Sequence, residues 1–133
     1  MNTKHVTSLE ISKQLAEAGI MFKSEYQWEV GGKLSGKQNA TLVLRNRPPS
    51  FVSADSAWSF YPAPIATELL ERLPENGKVF DIFGKLFIQK TDGVYRCGYG
   101  MYGMEVVDIE ASADNLPNAL ALLLIRLTKD GLI

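Results

Sequence analysis

The dipeptide Asp92-Gly93 stands between two short apolar runs, Lys85 to Lys90 (KLFIQK) and Val94 to Tyr99 (VYRCGY). A two-residue hairpin turn needs positive φ at its centre, and Asp-Gly meets that demand at little steric cost. The pair therefore predicts an antiparallel hairpin, with Met104 to Ile109 (MEVVDI) as the next strand. Upstream, Phe22, Tyr26, Trp28 and Val30 share one parity, while Lys23, Glu25, Gln27 and Glu29 fill most of the other. That alternation is a half-buried strand. After Gly31, Gly32 and Gly36 its partner is Ala40 to Arg45 (ATLVLR).

Three helices cover these strands. The first is predicted over Ser8 to Ala18, with Thr7 and Glu10 at capping-box spacing, Ile11, Leu15 and Ala18 on one face, and Gly19 as its stop. The second begins at Pro64 and ends before Pro74, with Ile65, Ala66, Leu69, Leu70 and Leu73 apolar and Glu68–Arg72 as an i,i+4 pair. The third runs from Asn115 to Lys129, capped by Asp114 and stopped by Gly131. Asn46 to Ser56, with Pro48 and Pro49, is loop. Ala57 to Tyr61 is either a short strand or an aromatic plug, and Val79 to Phe83 is ambiguous. The order α-β-β-α-β-β-β-α keeps strands in runs. That predicts an α+β domain, residues 1–133, an antiparallel sheet with helices packed against it. Residues 1–6 read as a flexible tail.

The third helix carries more apolar surface than one interface needs. Leu116, Leu120, Leu123 and Leu127 fall within about 60° of one another. Leu122 and Ile125 lie on the other side, so a second cover is expected. It is either the second helix or, in a homodimer, a second subunit.

Composition narrows the chemistry. A chain of 133 residues, 46% hydrophobic and 22% charged, can build a core without staples. A net charge of -1 argues against a dedicated nucleic-acid binder. The single cysteine, Cys97, excludes an internal disulfide. With the single histidine, His5, it cannot make a Cys/His zinc site. No metal and no cofactor are expected. The longest apolar run, Ala119 to Ile125, is seven residues, against about 20 for a membrane span. Met1 to Ser8 shows no secretory signal. The expectation is a cytoplasmic protein with no membrane partner.

Several constellations nevertheless merit a place. Gly98, Gly100 and Gly103 spell GxGxxG, but a strand-like segment follows where a dinucleotide fold needs a helix. Arg96, Tyr99 and Tyr102 partly overlap the aromatic motif that stacks bases on strands, although Cys97 stands where that motif wants a basic residue. Asp108 and Glu110, two apart on a strand, would share a face as paired carboxylates, while Asp92 and Asp114 belong to a turn and a cap and Asp81 has no assigned role. His5, in the tail, is a poor catalytic group. Arg45 and Arg47 read as solvated loop residues, and Trp28 and Trp58 as core.

Three segments carry a resemblance: SLEISKQLAEAGI, YPAPIATELLERLP and SADNLPNALALLLIRLTKDGLI, with GVYRCGYG between the last two. Together they resemble small proteins encoded by bacteriophages, prophages and other mobile elements, notably of gut bacteria. The resemblance covers about Ser8 to Ile133 and is weakest over Val30 to Phe60. It implies a phage context and the cytoplasm of a bacterial host cell, and it carries no catalytic residues with it. The function expected is a non-enzymatic protein-interaction module, binding an unknown protein partner or itself, with Leu122 and Ile125 as candidate contacts. The alternatives are a nucleic-acid-associated factor using Arg96, Tyr99 and Tyr102, and a small enzyme using Asp108 and Glu110.

Overall fold

Two antiparallel three-stranded sheets and three helices are present among the residues described in the computed structural model, 3–31, 39–44, 59–74, 85–100 and 107–131. A 3-10 turn, Thr3–His5, precedes α1 (Leu9–Glu17). β1 (Tyr26–Gly31), β2 (Asn39–Leu44) and β3 (Ser59–Pro62) form the first sheet in the order β2-β1-β3. α2 (Ala66–Arg72) follows. β4 (Lys85–Thr91), β5 (Val94–Gly100) and β6 (Val107–Ala113) form the second sheet in chain order, and α3 (Leu116–Lys129) closes the fold.

The α+β antiparallel class holds, with the strands divided between two sheets. Of the two options for Ala57 to Tyr61, the strand is realised: Phe60 and Tyr61 belong to β3 and pair with Glu29 and Trp28. The Asp-Gly turn is as expected. Thr91 pairs with Val94, and Asp92 and Gly93 have φ of 53° and 79°. Met104 to Val106, Asn46 to Ser56 and Val79 to Phe83 lie outside the described residues.

Helix ends follow local chemistry with two one-residue corrections and one of two residues. Ser8, not Thr7, caps α1, its hydroxyl accepting from the Ile11 N–H at 3.3 Å. Thr7 is buried and its hydroxyl sits 2.7 Å from that of Ser12. At the other end, Gly19 N–H donates to Ala16 and Ile20 N–H to Leu15, each at 3.0 Å, the paired bonds of a Schellman stop. Asn115, not Asp114, caps α3, accepting from the Asn118 N–H at 2.8 Å. α2 starts after Ile65, so Pro64 precedes it. Isoleucine has no capping group, and the Glu68 carboxylate instead accepts the Ile65 N–H at 2.9 Å.

The main core is built around α3. Ala119, Leu120, Ala121, Leu123, Leu124, Ile125 and Leu127 are all buried. They meet Leu15 of α1, Leu69 and Leu73 beside α2, and Cys97, Tyr99 and Ile109 of the second sheet. The side of α3 that carries Ile125 is thus covered within the chain. A smaller cluster joins Val6, Leu42 and Ala63, with Tyr26, Trp28 and Ile65 packed on it.

The segment read as a flexible tail is anchored from its third residue onward. Val6 is fully buried and bridges to Ile65. Thr7 N–H donates to the Pro64 carbonyl, and its own carbonyl accepts from the Trp28 indole at 2.9 Å. The His5 ring meets Tyr26 edge-on at 4.8 Å between centroids. Val6 and the contacts of His5 and Thr7 hold this segment, and such single contacts make no periodic pattern in a sequence.

Gly98 lies where β6 crosses close to β5. A Cβ there would press into the Ile109 carbonyl and come within 2.9 Å of the Glu110 Cα. Backbone cannot swing aside as a side chain can, so Gly98→Ala should cost about 1–3 kcal/mol. Gly93→Val should cost roughly 1 kcal/mol, through positive φ alone. Denaturant midpoints would measure both. A midpoint unchanged in Gly98→Ala would show that the two strands lie further apart.

Candidate functional site

The candidate residues of the sequence fall on two faces of the second sheet. Directly opposed residues share a face. Leu86, Ile88 and Lys90 oppose Tyr99, Cys97 and Tyr95, which oppose Ile109, Ala111 and Ala113. This inner face is the one α3 packs on. Phe87, Arg96, Gly98 and Glu110 belong to the outer face.

Arg96 and Tyr99 are therefore on opposite sides, since a spacing of three on a strand reverses direction. Tyr99 is buried at 3% exposure, and its hydroxyl donates to the Pro74 carbonyl at 2.6 Å. A base has no ring face to stack on there. Arg96 pairs with Glu110 and lies over the Phe87 ring at 5.4 Å. Arg96 and Tyr99 are thus not brought together on one face, and Tyr102 lies outside the described residues.

Glu110 is engaged by the Arg96 guanidinium. A register shift beside Tyr99 and Gly100 leaves Asp108 opposite no residue of β5. Gly98 and Gly100 belong to β5, and the next described element is a strand, β6. Ile125 is 5% exposed and cannot be a contact residue; Leu122 on the same helix is half-buried. Gly103, Trp58, Arg45, Arg47 and Asp81 lie outside the described residues. Trp28 belongs to the smaller core cluster.

Two features were not visible as patterns in the sequence. The first is the β4 edge. α3 rests on β5 and β6. Ile88, on the inner face, is 42% exposed, although Cys97 directly opposite it is fully buried. The second is a cleft of about 440 Å³ lined by Lys4 and His5, Ala66, Lys90 and Tyr95, and the first residues of α3. Its walls come from four separate stretches of chain, which is why no local motif announces it. Among the described residues, no group of three or more His, Cys, Asp and Glu is placed to hold a metal ion. No described helix is long and apolar enough to cross a membrane.

Compared with known proteins, the chain matches no family model, no curated protein and no solved structure.

Burial sets the acid-base behaviour of the inner face. It pushes the Cys97 thiol from 9.0 to about 12. It pushes the Tyr99 phenol from 10.0 to about 12, with the nearby Cys97 charge adding to the rise. A protonated Cys97 is a weak nucleophile. The folded chain holds both protons where the unfolded chain releases them. The associated stability is whole below about pH 9 and is lost as pH rises toward 12. The urea midpoint should therefore fall over that window, and less steeply in Cys97→Ala. A midpoint flat from pH 9 to 12 would show that both groups ionise as freely as in the unfolded chain.

Proposed function

We propose that the chain is a non-enzymatic protein-interaction module that pairs with a second copy of itself along β4, in the phage and bacterial-cytoplasm setting its sequence resemblance implies. The observation that carries this reading is the overhang of β4 beyond α3, with Ile88 exposed on the face that buries Cys97, Tyr99 and Ile109. An edge strand offers unpaired N–H and C=O groups to another strand. The three alternatives are poorer. β6 is interrupted by its register shift, β3 is four residues long and includes Pro62, and β2 already buries Leu42 and Val43.

Side-chain chemistry favours one register. Twofold antiparallel pairing centred on Ile88 sets Ile88 against its own copy, Phe87 against Gln89, Leu86 against Lys90 and Lys85 against Thr91. No lysine then faces a lysine. A slip by one residue in either direction sets the inner face of one copy beside the outer face of the other, and in one direction it also opposes Lys85 and Lys90. The centred register also places both Ile88 side chains on one continuous inner face.

Sedimentation equilibrium tests the proposal. The wild-type chain should dimerise, and Ile88→Lys should be monomeric with an unchanged circular dichroism spectrum, because only an exposed side chain is altered. A wild-type monomer at the highest concentration the protein tolerates would overturn the reading. So would a dimer whose mass Ile88→Lys leaves untouched.

A further inference from the structure

Gly98 is the middle residue of a row across the outer face of the second sheet. Phe87 of β4 stands directly opposite it on one side and Glu110 of β6 on the other. Glycine puts no side chain between them. Arg96, two residues earlier on β5, is directly opposite Gln89 and Ser112, and it reaches diagonally to both ends of the row. Its Nε donates to the Glu110 carboxylate, and its guanidinium carbon lies 5.4 Å from the centroid of the Phe87 ring. One planar group thus links β6 to β4 across the strand between them.

This link adds little to folding stability. The Arg96 and Glu110 side chains are 40% and 43% exposed, and an ion pair so open to water contributes little. Its effect is to fix a half-buried ring on β4. In the pairing register centred on Ile88, Phe87 of each copy stands against Gln89 of the other. Arg96 stands on the far side of each Gln89, on β5. Immobilising a side chain on association costs free energy. A ring already held against a cation avoids much of that cost.

We propose that Arg96 is a positioning residue for self-association: anchored by Glu110, it holds the Phe87 ring ready for the seam, once in each copy. The inference rests on the pairing along β4 and extends it to residues off the edge. Glu110 lies on β6, two strands and about 10 Å from β4. It therefore acts through Arg96 and not by touching the second copy.

Sedimentation equilibrium tests it through the dimer Kd. Arg96→Gln and Glu110→Gln should each raise Kd by about tenfold, one side chain being freed in each copy. In Phe87→Leu, adding Arg96→Gln should change Kd no further. In the monomeric Ile88→Lys chain, Arg96→Gln and Glu110→Gln should leave the urea midpoint nearly unchanged, which a merely structural role would not. A wild-type dimer whose Kd neither variant alters would overturn this inference and leave the pairing intact. So would an Arg96→Gln effect as large in Phe87→Leu as in the wild type, or a clear fall of the urea midpoint in the monomeric background. A wild-type monomer would overturn the pairing itself, and this inference with it.

Discussion

Burial of α3 on nearly every side is the constraint the rest of the structure serves. Seven of its side chains between Ala119 and Leu127 are buried. A helix apolar all round needs cover all round. The second sheet supplies one wall, and α1 and α2 supply others. Exposed positions such as Arg126 and Lys129 mark where the cover stops. Arg126 uses its guanidinium there to donate to the Glu110 carbonyl at 3.3 Å, fastening the helix to β6. Tyr99 ties the inner face of the second sheet to the end of α2 through Pro74.

The polar groups close to this core are paired, and the pairing explains how distant stretches are held together. Asn118, 8% exposed, accepts the Ser8 N–H at 2.8 Å and so joins the starts of α1 and α3. Ser24, 2% exposed, donates toward the Ala63 carbonyl and the Glu68 carboxylate. Among the described residues no buried side-chain nitrogen or oxygen lacks a partner. Leaving one unpaired costs about 1–3 kcal/mol, so each of these contacts fixes geometry more than it adds attraction.

Local signals in the sequence were legible where local physics decides. The Asp-Gly turn, the Gly19 stop, the strand alternation around Trp28 and the apolar stripe of α3 all appear in the fold. Positions set by distant residues were not legible. Thr7 has a good capping side chain, but Ser12 takes it into the core, and Ser8 caps instead. Glu68 and Arg72 have the spacing of a surface pair. Glu68 instead serves Ser24 and Ile65, and Arg72 reaches the Met21 carbonyl over the Phe22 ring. The candidate sites were the least legible. Arg96 and Tyr99 read as neighbours although their spacing on a strand separates them. The β4 overhang depends on where a helix lies, and the cleft gathers residues as far apart in sequence as Lys4 and Pro117.

If α3 is the spine of the fold, its backbone should open only when the whole molecule does. Native-state hydrogen exchange measures this amide by amide. The amides of Leu120 to Leu127 should exchange with a free energy equal to that of global unfolding, and those of β2 and β3 with less. Exchange of the α3 amides through a lower-energy opening, with the first sheet still protected, would contradict the account.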